Sequence, residues 1–185
     1  VSEIIPPKDL AALQLNLIRS HACGIGESMS IQDTRAMMCV RANSLVKGHS
    51  GVRRVIIEQI VTFLNEDIIP VIPRIGSLGA SGDLAPLSHM ALALVGEGEV
   101  WGPDGPQSTS MMLREKGLIG IDLSAKEGLS LINGTSQMCS FMVNADIMLE
   151  NLLTIADLIA CVSMDARECS IKPMDERVHF VRPHA

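Results

Sequence analysis

Apolar residues recur at intervals of three and four along most of the chain, which is the spacing of one face of an α-helix. This pattern covers residues 8–19, 30–48, 53–65, 83–95 and 111–116. Ser30 precedes the second segment as a candidate N-cap, and Gly48 marks its end. Ser124 and Glu127 have capping-box spacing, and residues 96–106 predict turns around a short strand or small hairpin. We therefore expect a mainly α fold.

The longest helical segment begins after Asn133-Gly134-Thr135 and extends to about Glu168. A helix of roughly 30 residues is about 45 Å long. Its apolar residues cover more than one stripe, which is typical of a helix buried on several sides. The shorter helices can cover only part of this length. We expect the rest to be covered by helices outside this chain or by another subunit.

Composition narrows the classes of function. The chain has 185 residues, a net charge of -6 and an aromatic content of only 2%. The acidic balance argues against a nucleic-acid partner. Five scattered cysteines without a CxxC pair argue against a disulfide framework, and the histidines lack metal-ligand spacing, so we assign no metal. No uncharged apolar run approaches the roughly 20 residues that span a bilayer, so we expect a cytoplasmic protein with no membrane partner.

A glycine-rich stretch at residues 76–83 contains the tripeptide Ala80-Ser81-Gly82. It is not a phosphate-binding loop, because no Gly-Lys-Ser/Thr follows and the adjacent charge of Asp83 is negative. It also lacks the second glycine of the GxSxG nucleophile elbow. A plain turn capped by Asp83 would explain so short a string by itself.

The surrounding sequence resembles the signature of the aromatic amino acid ammonia-lyases. The matching blocks are GSLGASGDLAPLSHMALALVGEGE at 76–99, LQLNLIRSHACGIG at 13–26, KEGLSLINGT at 126–135 and DERVHFVRPH at 175–184. They follow the order of the family and lie close to its spacing. The resemblance implies a helical ammonia-lyase-like fold. It also implies that residues 1–185 form a single partial domain. Within this domain, residues 1–132 would carry the electrophile, and residues 133–185 would begin a central helical bundle.

In that family the tripeptide cyclises and loses two waters to give 4-methylideneimidazole-5-one (MIO), with no external cofactor. Carried over to this chain, the Gly82 nitrogen would attack the Ala80 carbonyl, and Ser81 would lose its hydroxyl to form the methylidene carbon. Cyclisation needs a sharply bent backbone, which glycine permits because it has no Cβ. Hydrogen-bond donors and helix N-termini nearby would stabilise charge on the ring carbonyl.

The resemblance also assigns roles to Asn133 and to the pair Ser20-His21. An Asn-Gly pair by itself indicates a turn or helix cap, but Asn133 matches the family asparagine that contacts the substrate amine or the adduct. A histidine after an amphipathic segment is usually a cap or a hydrogen-bonded core residue. Ser20-His21, however, matches a dipeptide that lies near the substrate side chain and reads Ser-His in members that act on histidine. An imidazole can share a hydrogen bond with another imidazole.

The resemblance therefore implies non-oxidative deamination of L-histidine to trans-urocanate and ammonia by a cytoplasmic homotetramer. The sequence contains no tyrosine, although the family uses one as an acid/base, and it lacks the later pocket residues. We expect an internal fragment that is inactive alone. Two alternatives stay open. One is a phenylalanine or tyrosine lyase or aminomutase of the same family, and the other is a non-catalytic helical oligomeric protein on this scaffold.

Overall fold

Helices dominate the computed structural model, which describes residues 6, 9–78, 82–181 and 183. The helices are α1 Leu10–His21, α2 Ile31–Leu45, α3 Arg54–Asn65, α4 Leu84–Leu94, α5 Thr109–Glu115, α6 Glu127–Ile132, α7 Ser136–Ala166 and α8 Glu176–Phe180, with a 3-10 helix at Lys172–Met174. The prediction of a mainly α fold is confirmed. The 31-residue α7 lies where the longest periodic segment was expected.

Within the described residues, four short strands form two antiparallel pairs. Strands β3 (Glu99–Gly102) and β4 (Gly105–Ser108) make the hairpin that the sequence predicted. Strands β1 (Ile25–Ser28) and β2 (Pro73–Ile75) also pair, although the sequence pattern did not indicate them. Three or four residues are too short for the two-residue period of a strand to stand out. The β1–β2 pair joins the segment after α1 to the segment that precedes the tripeptide.

Of the two helix caps that the sequence predicts, one forms completely and the other forms in part. The Ser30 hydroxyl accepts a hydrogen bond from the Asp33 N–H at 3.0 Å, so the predicted N-cap of α2 is confirmed. Only half of the predicted capping box forms at α6. The Glu127 carboxylate accepts the Ser124 N–H at 2.7 Å, but the helix begins at Glu127 and its N-cap is Lys126, at φ +71°.

Residues up to Asn144 form one compact unit with an aliphatic core. Its fully buried side chains are mostly Ile, Leu and Met, and Phe63 is the one large ring among them. Helices α1, α4 and α6 pack against one another. This packing gathers three segments that the sequence analysis marked as chemically important: the end of α1, the start of α4 and the end of α6.

Residues 145–185 form a second unit, and the described residues there include none that is buried. Apolar side chains of α7 are exposed within it, such as Leu152 at 61%, Ile159 at 59% and Val162 at 69%. By length and composition alone, Glu127–Ala166 could cross a membrane, with a mean hydropathy of 1.7 in its most apolar window. A helix buried among other helices has the same composition. What covers α7 stays a prediction.

Candidate active site

The tripeptide is represented in the described structure by Gly82. Ala80 and Ser81 lie outside the described residues, so their roles stay predictions. Gly82 is buried, its φ is +98°, and its N–H donates to the Leu78 carbonyl at 3.2 Å. This backbone conformation is one that glycine adopts at little cost and other residues rarely adopt.

Gly82 lies against the Asn133-Gly134 turn. A Cβ added to Gly82 would lie 3.0 Å from the Gly134 carbonyl carbon and closer still to its oxygen, so the two backbones touch. The neighbouring Asp83 N–H donates to the same oxygen at 2.7 Å. The fold thus joins two predicted site segments that are separated by about fifty residues of sequence.

Asp83 has a role that the sequence did not reveal. Its side chain is fully buried and accepts no capping hydrogen bond from α4, although Asp83 is the N-cap residue of that helix. Instead, one carboxylate oxygen accepts the N–H groups of Gln137 (2.6 Å) and Met138 (3.1 Å), and the other accepts the Ser77 hydroxyl at 2.6 Å. The first N–H groups of a helix lack partners within the helix, and its N-terminus favours negative charge. Asp83 therefore anchors the tripeptide segment to the start of α7.

Asn133 is the C-cap residue of α6, and its own N–H donates to the Leu129 carbonyl at 3.1 Å. The residue is exposed, and its side-chain amide has no hydrogen-bond partner among the described residues. Its carbonyl accepts Nη2 of the buried Arg41 at 2.9 Å. Burial lowers the pKa of Arg41. The backbone of Asn133 is thus held at both ends while its carboxamide is available to a ligand.

An ion pair holds the other end of α6. The Glu127 carboxylate is buried and accepts three hydrogen bonds from Arg53, through its backbone N–H (2.9 Å), Nε (2.8 Å) and Nη2 (2.8 Å). Burial raises the pKa of Glu127, but the hydrogen bonds from Arg53 and Ser124 outweigh it, so the pKa lies below its ordinary value. Charge-assisted bonds of this kind fix where α6 begins.

Ser20 and His21 are the last two residues of α1. The Ser20 hydroxyl donates to the Leu17 carbonyl at 2.9 Å, and His21 Nδ1 lies 2.8 Å from the same oxygen. The Ser20 hydroxyl also lies 3.0 Å from Nδ1. With its proton on Nδ1, the neutral ring donates to the Leu17 carbonyl and leaves Nε2 as an acceptor. No hydrogen bond joins this pair to Gly82 or Asn133 within the described residues.

The chain after His21 is nevertheless tied to the region of the tripeptide. The Gly24 N–H donates to Nε2 of His89 on α4 at 3.2 Å. A Cβ on Gly76 would lie 3.3 Å from the Gly24 Cα, so these two glycines pack closely. Burial lowers the pKa of His89, which favours the neutral ring that this bond requires. Nothing in the sequence pattern around His89 indicates this link.

A cavity of about 440 Å³ is lined by residues of α1 and by segments around residues 95–97 and 121–123, and it includes none of the candidate residues. Within the part of the chain that the structure describes, no three His, Cys, Asp or Glu side chains are grouped as metal ligands.

The comparisons with known proteins agree with this geometry. The profile described as aromatic amino acid lyase matches residues 1–185. The histidine ammonia-lyase of Bacillus subtilis (strain 168) is 48% identical over 97% of this chain, which spans only 35% of that relative's length. A crystal structure of histidine ammonia-lyase from Trypanosoma cruzi matches 99% of this chain, over 36% of the length of the Trypanosoma cruzi chain. The identity is 38% and the TM-score is 0.93. The structure of a Pantoea agglomerans phenylalanine aminomutase matches 100% of this chain, over 36% of the aminomutase chain, with 33% identity and a TM-score of 0.94. With the motif blocks and the helical fold in agreement, this chain belongs to the aromatic amino acid lyase family.

Proposed function

We propose that the protein containing this chain is a histidine ammonia-lyase, which converts L-histidine to trans-urocanate and ammonia. The observation that carries the proposal is the backbone contact between Gly82 and the Asn133-Gly134 turn. It unites two motif segments in one place. The curated relatives named histidine ammonia-lyase, 48% identical in the case of Bacillus subtilis, support the substrate.

The described part of the tripeptide fits the MIO group. Gly82 has a positive φ and a neighbour that leaves no room for a Cβ, as a backbone ring formed at this position would require. Ala80, Ser81 and Gly82 would form the group by losing two waters, without an external cofactor. Once formed, it supplies an electrophilic methylidene carbon.

Asn133 orients the substrate amine in this proposal. The Gly134 carbonyl is engaged by the Asp83 N–H, and the Asn133 carbonyl is engaged by Arg41. The Asn133 carboxamide, by contrast, has no hydrogen-bond partner among the described residues. It offers both an acceptor oxygen and a donor nitrogen, which suits an amine that departs as ammonia.

His21 selects the substrate side chain in this proposal, with Ser20 beside it. The bond from Nδ1 to the Leu17 carbonyl sets the tautomer and leaves Nε2 as an acceptor for an imidazole N–H. A substrate with a phenyl ring has no such donor, and the acceptor would then lose its partner.

The elimination also needs a base that removes a proton from the carbon next to the amine-bearing carbon. The sequence has no tyrosine to serve as that base. We propose that the base and the groups that bind the substrate carboxylate lie outside this chain, so the isolated chain is inactive. A cytoplasmic homotetramer would also supply cover for the exposed apolar side chains of α7.

A second candidate is an aminomutase or lyase acting on phenylalanine or tyrosine. The Pantoea agglomerans phenylalanine aminomutase has the same fold at 33% identity, so the scaffold alone does not choose the substrate. Ser20-His21 favours histidine. The intact Ala80-Ser81-Gly82, Asn133 and Ser20-His21 weigh against a non-catalytic protein on this scaffold.

The test is an assay of the full-length protein with L-histidine, L-phenylalanine and L-tyrosine, with the unsaturated acids followed by ultraviolet absorption. We expect histidine to be turned over with the highest kcat/KM. Dominant turnover of phenylalanine or tyrosine would refute the role given to His21. An assembled protein that turns over none of the three would refute the proposed reaction.

A further inference from the structure

Arg41 is a buried cation without a carboxylate partner in the described part of the chain. It lies on α2, and only 3% of its surface is exposed. Its Nε atom is buried and has no hydrogen-bond partner among the described residues. A buried charge that lacks an ion pair is costly, and an apolar side chain of similar volume often replaces it without loss of stability. The presence of arginine here therefore calls for a reason other than stability.

The guanidinium group binds the end of α6. Its Nη2 donates to the carbonyl oxygens of Ser130 and Asn133, the latter at 2.9 Å. The last carbonyls of a helix lack partners within the helix and carry partial negative charge, so they favour a cation. Arg41 therefore holds α6 at the residue whose side chain is proposed to bind the substrate amine.

The same group packs against Gly134. A Cβ on Gly134 would overlap Nη1 of Arg41 and lie 3.2 Å from its Cζ, so the guanidinium is in contact with the glycine backbone. The carbonyl of Gly134 in turn accepts the Asp83 N–H and contacts Gly82. The Asn133-Gly134 turn thus packs against both Arg41 and the Gly82–Asp83 segment.

We propose that Arg41 is a positioning residue for the ammonia-lyase reaction, acting through Asn133. The Asn133 backbone is held on both sides, by the bond from its N–H to Leu129 and by the bond from Arg41 to its carbonyl. A carboxamide held in this way is oriented before the substrate arrives, as efficient catalysis requires. This inference rests on the function proposed above.

The test uses the full-length protein with Arg41→Gln and Arg41→Lys. Lysine keeps the charge but loses the planar fork that packs on Gly134 and reaches two carbonyls. Displacing a catalytic group by about 1 Å costs about 100-fold in rate. We expect kcat to fall by about that factor in Arg41→Gln and by less in Arg41→Lys, while KM changes less than kcat. The control is Arg54→Gln, because Arg54 is exposed and pairs only with Glu58 on its own helix.

Two further readouts separate positioning from stability. In the Asn133→Ala background, Arg41→Gln should cause almost no additional loss of kcat, because its target is gone. Hydrogen–deuterium exchange at residues 129–135 should accelerate in the Arg41 variants and stay unchanged in Arg54→Gln. If Arg41→Gln does not assemble, the single and double variants are compared with Arg41→Lys in its place.

An unchanged kcat in both Arg41 variants would overturn the inference, as would losses that multiply in the double variant. A lower melting temperature with unchanged kcat and exchange would assign Arg41 a purely structural role and overturn it as well. Failure of the proposed function is distinguishable, since the unaltered protein would then turn over no amino acid. The exchange experiment does not depend on turnover.

Discussion

The two halves of the candidate site are built in different ways. Gly82 and Asp83 meet the Asn133-Gly134 turn through buried backbone contacts between distant segments. Ser20 and His21 are held by bonds to Leu17, three and four residues earlier on the same helix. The first region depends on tertiary contacts between distant segments, and the second depends on hydrogen bonds within the last turn of α1. We expect substitutions in the first to abolish folding or activity, and substitutions in the second to change the preferred substrate.

The largest effect is expected from Gly82→Ala. The added Cβ would overlap the Gly134 carbonyl at a φ of +98°. The matched control is Gly48→Ala, at φ +80° with no atom within 4 Å of the added Cβ. A strained backbone of this kind costs about 1–3 kcal/mol. We expect the control to show only that loss in thermal unfolding, whereas Gly82→Ala does not cyclise its tripeptide. A cyclised Gly82→Ala protein would contradict the importance of this contact.

Asp83→Ala should have the next largest effect. It leaves the N–H groups of Gln137 and Met138 unpaired at the start of α7. Losing a buried charged acceptor costs about 3 kcal/mol, and thermal unfolding of the full-length protein measures it. Asp175→Ala is the comparison, because Asp175 caps the short α8 through the Arg177 N–H without being buried. Equal losses in the two variants would show that burial of Asp83 is unimportant.

The Arg53–Glu127 pair predicts how stability depends on pH. The pKa of Glu127 in the folded protein lies below its ordinary value of 4.5. The pair therefore stabilises the fold above that value, and this contribution is lost as the pH falls through the lower, folded-state pKa.

Glu127→Gln should consequently lower the melting temperature at neutral pH and converge with the unaltered protein in acid. The control is Glu58→Gln, an exposed carboxylate paired with Arg54, which should leave the pH profile unchanged. Melting curves between neutral pH and the acid limit of solubility give the comparison. A Glu127→Gln deficit that stays constant across this range would contradict the assigned linkage.

His21→Leu should have the smallest effect on folding and the clearest effect on substrate choice. Its contacts are local, so the melting temperature should hardly change. Loss of a hydrogen bond to the substrate imidazole costs about 1–3 kcal/mol and should lower kcat/KM for histidine by roughly 5- to 150-fold. His49→Leu, at an exposed turn, is the control. Retained preference for histidine in His21→Leu would place the specificity elsewhere.

The features that were predictable from sequence are local ones. The Ser30 cap, the β3–β4 hairpin and the extent of α7 each depend on residues that are neighbours in sequence. The motif blocks are likewise recognised from consecutive residues. Each of these predictions needed no knowledge of which segments pack together.

The features that escaped prediction depend on tertiary contacts. From the sequence alone Asp83 would cap a plain turn, but its carboxylate accepts the N–H of Gln137, 54 residues later at the start of α7. Arg41 lies in an ordinary amphipathic pattern, and only the fold shows that it holds Asn133. The strands of the β1–β2 pair are likewise too short to be recognised from the sequence pattern. Pairing partners of buried polar groups cannot be read from periodicity.

The mass of one peptide shows whether this chain carries the electrophile of an ammonia-lyase. The full-length protein would be purified, digested and analysed by mass spectrometry across Ala80-Ser81-Gly82. We predict a peptide lighter than its sequence mass by two water molecules. An unmodified tripeptide in a folded and fully assembled protein would contradict the account.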